Sequence, residues 1–176
     1  MYFAGQAKVT PSGDTLLVPY EGGRSSSRSY PFKDVLSALE RVNARHVLFI
    51  FDGSVSKLDH TQAKTKDPQW GGTGGHVVRL IGSTGVHTGI ESDKVHHSLF
   101  TYHLLRGLRG EADENADGEI TLGELTLFLG NVVPDAARRH FKQSQRPLVI
   151  PSIPRNGKLA ALSLTRSVPV SASSKR

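Results

Sequence analysis

The stretch His46-Val47-Leu48-Phe49-Ile50-Phe51 restricts the fold more than any other part of this chain. A strand with one face in water alternates apolar and polar residues. An unbroken apolar run of strand length belongs to a parallel strand covered on both faces. His76 to Gly82 repeats the pattern. Helical stripes precede and follow these runs. Phe32, Val35, Leu36, Leu39 and Val42 recur at three- and four-residue spacing behind Pro31, a residue tolerated in a first helical turn. Val95 to Leu108 reads as a second helix ending near Gly107 and Gly110. A third starts at Thr121 and runs toward Val133, where Pro134 should kink or restart it. Tyr2 to Ala4 and Thr15 to Val18 read as short strands around the turn Pro11-Ser12-Gly13-Asp14. Leu148 to Ile150 and Leu159 to Leu164 are further strand candidates, and Glu21 to Ser29 and Val55 to Gly75 read as loops. Strands alternating with helices predict an α/β fold with a largely parallel sheet.

At 176 residues the chain is long enough for one domain with a real core. It has no cysteine, which excludes disulfides, zinc-thiolate sites and a thiol nucleophile. No apolar run approaches the roughly 20 residues of a bilayer span, and Met1 to Gly5 has no signal-peptide character. The cytoplasm is the default expectation. The net charge of +6 comes from the C-terminal end, since residues 136–176 carry nine Lys/Arg and no acid. Nucleic acid is not the expected partner of that end, because no aromatic residue follows Phe141 to stack on bases. Residues 166–176 read as a disordered, solvated basic tail after a domain over 1–165.

The strand at 46–51 runs into Asp52-Gly53-Ser54. In open α/β sheets, binding groups gather at the carboxyl ends of strands, so Asp52 and Ser54 are the first candidates. A second set lies in Asp113-Glu-Asn-Ala-Asp-Gly-Glu-Ile-Thr-Leu-Gly-Glu124. Asp113, Asn115 and Asp117 occupy loop positions 1, 3 and 5, Gly118 position 6, Ile120 position 8 and Glu124 position 12. This is the spacing of a calcium-binding EF-hand loop. Glu119 would offer its backbone carbonyl, and Thr121 its side chain or a water. Magnesium suits the pattern less well, because it demands tight octahedral geometry and keeps its waters. A structural ion is expected rather than a sensor, as no second loop is present to pair with this one. The competing reading is a turn whose Asp and Asn cap a helix and bind nothing.

Three stretches resemble the caspase-like peptidases, the caspase and metacaspase group, in their bacterial form. Tyr2-Phe-Ala-Gly-Gln-Ala7 is similar to the strand ending in Tyr-x-x-Gly-His-Gly. Leu48-Phe-Ile-Phe-Asp-Gly-Ser-Val-Ser56 is similar to the strand ending in Asp-Ala-Cys-x-Ser. His96 to Leu125 resembles the helix, acidic loop and helix of bacterial members. The likeness reaches to about Pro147. It implies a three-layer sandwich with helices on both faces of a mostly parallel sheet, and a Cys-His dyad in which histidine takes the thiol proton.

In this chain Gln6 stands at the histidine position, Ala7 at the following glycine and Ser54 at the cysteine. Glutamine is no base, and a serine hydroxyl without one is a poor nucleophile. The resemblance therefore implies a pseudopeptidase that binds or regulates. The alternatives are a hydrolase that cuts after basic residues, with Ser54 activated by one of His60, His76, His87, His96 or His97, and a calcium-stabilised structural domain. Asp52 implies a pocket for a basic side chain, against the alternative of a strand-end acid capping local donors. Relative to the family, the chain begins almost at the histidine strand. That implies missing first strands and an open edge on a central strand, where a second copy or a completing partner would pair.

Overall fold

A computed structural model describes residues 1–19, 29–57, 69–71, 76–83, 89–92 and 97–166. Its main sheet has six strands in the order β3-β2-β1-β4-β5-β9. These are β1 (Tyr2–Val9), β2 (Thr15–Val18), β3 (Tyr30–Pro31), β4 (Val47–Lys57), β5 (Val77–Ile81) and β9 (Leu148–Ile150). The central strands β1, β4 and β5 are parallel. On their flanks β2, β3 and β9 pair antiparallel, so the sheet is mixed, with a parallel centre. The architecture is α/β.

The two apolar faces of β4 build two cores. Phe49, Phe51 and Val55 point to one side, where they meet Phe32 and Leu36 of α1 (Phe32–Glu40) and Trp70. Trp70 lies edge-on to Phe32 and tilted against Phe51, with centroids 5.2 and 4.8 Å away. Burying each such ring contributes about 2 kcal/mol. On the other side, Leu48, Ile50 and Leu80 meet α2 (Leu99–Arg106) and α3 (Leu122–Ala136). Val42, the last member of the α1 stripe, lies beyond the helix and is exposed.

Several boundaries differ from expectation. β1 runs to Val9 and β4 to Lys57, because the two pair in register over the whole length of β1. A methyl on Gly53 would stand 1.6 Å from the Gly5 carbonyl oxygen, so this close approach needs glycine. The open edge expected on β1 is absent. β2 occupies that side, and the sheet ends in the short strands β3 and β9. α2 starts at Leu99 rather than Val95, with Ser98 as its cap, and a π-helical turn carries it to Glu111, past Gly107. Within that turn Gly110, at φ 126°, leaves the helical conformation and kinks the chain. α3 continues through Pro134 to Ala136 rather than restarting there.

The last strand is β10, Ser163–Arg166, and starts four residues later than expected. It pairs outside the main sheet, with β8 (Glu119–Thr121). A small hairpin, β6 (Glu91–Ser92) with β7 (His97–Ser98), precedes α2. The expected loop at 21–29 (apart from Ser29), most of that at 55–75, His60, His87, His96 and the tail after Arg166 lie outside the described residues. Among the described residues no helix is long and apolar enough to cross a membrane.

Candidate functional site

Strand alternation puts Ile50, Asp52 and Ser54 on one face of β4, opposite Phe49, Phe51 and Val55. The parallel register then sets Tyr2 beside Ile50, Ala4 beside Asp52 and Gln6 beside Ser54. The two residues singled out at 6 and 54 are therefore direct neighbours, although the sequence separates them by a helix. Both lie within their strands rather than past the strand ends. Gln6 is exposed and Ser54 half-buried.

Ser54 Oγ accepts a hydrogen bond from the Gly89 amide at 3.2 Å. The chain at Gly89 crosses close over β4, since a methyl there would stand 3.0 Å from the Gly53 carbonyl oxygen. Gln145 holds this crossing in place. It is fully buried, donates from Nε2 to the Gly82 carbonyl at 2.9 Å and accepts the Ile90 amide at Oε1, 3.2 Å away. Among the described residues no histidine is hydrogen-bonded to Ser54. His76 and His97, two of the sequence candidates, are on β5's approach and on β7.

Asp52 is 6% exposed. Its Oδ2 accepts from three hydroxyls: Tyr2 at 3.1 Å, Thr101 at 2.5 Å, and Ser98. Ser98 also accepts the Thr101 amide as the cap of α2. The acid thus ties the end of the apolar strand to the start of the helix. Its other oxygen, Oδ1, is buried with no partner among the described residues. The Tyr2 phenol is held above its ordinary 10.0, first by burial of its hydroxyl and then by the Asp52 charge, against the hydrogen bond with Thr101. Tyr2, Ser98, Thr101, Gly89 and Gln145 were not singled out from sequence. Ser98 alone carried a local signal, a serine one residue before an apolar helical stripe.

The acidic loop folds as helix, loop and helix. Ala116 and Gly118 take the left-handed conformation, at φ 57° and 82°. Asp113 accepts the Asp117 and Gly118 amides at 3.2 and 3.0 Å, and Asn115 accepts the Asp117 amide at 2.9 Å. Ile120 is fully buried. Thr121 and Glu124 form a reciprocal capping box at the start of α3. Glu124 uses only Oε2 for this, at 2.9 Å from the Thr121 amide. Its Oε1 is buried with no partner among the described residues. The donor set is carboxylate, amide and carbonyl oxygen, which suits a hard cation. Among the described residues no three His, Cys, Asp or Glu side chains converge on one point. The chain matches no known protein-family model and no curated protein.

Proposed function

We propose that this chain is a caspase-like domain that binds a peptide or protein carrying a basic residue without cutting it, and whose 113–124 loop holds a calcium ion. The observation that carries the reading is the register of β1 and β4, in which Gln6 lies opposite Ser54, two pairs beyond a buried acid and on the same face. Two adjacent parallel strands presenting these positions together are what a nucleophile and its base require, and neither residue type can do the work of Cys and His. The unpartnered Asp52 Oδ1 is the atom a basic side chain would meet. For calcium, the support is the unpartnered Glu124 Oε1 at the position of the loop's bidentate acid. Asp113, Asn115, Asp117 and the Glu119 carbonyl would supply the other oxygens.

A second reading, a calcium-stabilised structural domain with no peptide site, draws on the three hydroxyls that already occupy Asp52 Oδ2. The two are separated by assaying fluorogenic Arg and Lys peptides with and without calcium, beside a Gln6→His, Ala7→Gly, Ser54→Cys variant, together with direct binding of an uncleavable Arg peptide. We expect binding by the natural protein and cleavage only by the variant. Cleavage by the natural protein that Ser54→Ala abolishes would refute the pseudopeptidase reading. Absence of both binding and restored cleavage would favour the structural domain.

A further inference from the structure

We infer that residues 160–166 are a clasp on the acidic loop, and that clasp docking and calcium binding strengthen each other. This rests on the calcium reading above. The short strand inside the loop, β8, covers loop positions 7 to 9. Its partner is β10, near the end of the described chain, with Arg166 opposite Glu119, Thr165 opposite Ile120 and Ser163 opposite Thr121. The chain thus supplies from its own C-terminal part the strand pairing that a second loop would otherwise give.

The contacts go beyond that ladder. A helix leaves its first amides without intrahelical acceptors. In α3 the Leu122 amide donates to the Leu162 carbonyl at 2.8 Å, and the Gly123 amide to the Ala160 carbonyl at 3.0 Å. Ala160 lies so close that a methyl on Gly123 would stand 3.0 Å from its Cβ. Leu164 packs into the same core as the fully buried Ile120. Arg166 reaches the Glu119 carboxylate from Nε at 3.0 Å and Nη2 at 2.9 Å. Glu119 can therefore give its side chain to the clasp while its backbone carbonyl stays with the loop.

All these contacts fix residues 119–123, the stretch of the loop that leads into the bidentate acid. A cation binding there meets backbone already ordered. By linkage, whatever factor the clasp adds to calcium affinity, calcium adds to clasp docking. We expect that factor to be roughly tenfold, within the usual span of coupling between sites.

The test is calcium titration by calorimetry on the full chain and on Ala160→Leu, whose extra bulk meets Gly123 from outside the loop. In parallel, hydrogen exchange of the Leu122 and Gly123 amides is measured in the natural protein, with calcium and with chelator. The clasp predicts weaker calcium binding in the variant and calcium-induced protection of those two amides by a similar factor. Equal affinity in both proteins, with amide exchange indifferent to calcium, overturns the clasp and leaves the calcium loop standing. No heat of binding in the natural protein overturns the calcium reading and the clasp together. Because the amide measurement uses the unaltered chain, a poorly folded variant does not remove the test.

Discussion

Replacing Gln145 with methionine, close to it in shape and volume, removes two hydrogen bonds and little else. The Gly82 carbonyl and the Ile90 amide, 2.9 and 3.2 Å from the glutamine side chain, lose their partner inside a fully buried setting. Each unsatisfied buried backbone group costs about 1–3 kcal/mol, so the variant with two of them should lose about 2–6 kcal/mol. For a chain of 176 residues, each kcal/mol moves Tm by roughly 2–4 °C, and the drop should be roughly 4–24 °C. Urea denaturation followed by circular dichroism measures the loss. The same variant should speed exchange of the Ile90 amide and of Gly89, whose amide meets Ser54. A loss below about 0.5 kcal/mol would put Gln145 among ordinary surface-like substitutions and refute its role as the clamp of the 89–92 crossing.

Three further outcomes follow from named contacts. His103 is buried beside Arg106 and His140, with Glu111 near; burial first, then Arg106, holds its pKa below 6.5 while Glu111 opposes. The unfolded chain binds that proton more readily, so stability should fall as pH drops from 6.5 toward the lowered native value, and His103→Leu should flatten denaturation midpoints across that range. Thr121→Ala breaks the capping box and should cost about 1 kcal/mol by urea denaturation; an unchanged midpoint would deny the box any weight. Asp52→Ala strips the acceptor from the Tyr2, Ser98 and Thr101 hydroxyls and should cost about 2–4 kcal/mol, with faster exchange at the Thr101 amide as the local check.

The apolar runs at 46–51 and 76–82 and the stripe from Phe32 to Leu39 were legible because burial on a sheet or a helix face leaves a periodic mark. Strand ends were not. Gly5, Gln6, Gly53 and Ser54 carry no strand propensity, and only the long-range pairing of β1 with β4 draws them into the sheet. The same pairing made Gln6 and Ser54 neighbours, which family likeness suggested and spacing alone could not. Asp52 was legible as a residue with a task, because a carboxylate after three apolar residues must find donors. Its donors, at positions 2, 98 and 101, belong to no local pattern. Gln145 is further removed: a lone glutamine before Arg146 and Pro147 has no signature, and its task exists only where β5 ends beside Ile90. The loop at 113–124 was the most readable feature, since its turn chemistry is local. The strand that braces it, β10, was expected nearby but not as its partner.

The placement of Trp70 has a practical consequence for every experiment named above. It is the chain's one tryptophan, packed between Phe32 and Phe51 on the α1 side of the sheet. The helices that carry the acidic loop lie on the opposite side. Tryptophan emission, excited away from the tyrosines, therefore watches one half of the molecule. An emission change shared with circular dichroism would mean that both layers melt as a unit, whereas an ion that tightens only the far layer would leave the emission spectrum still.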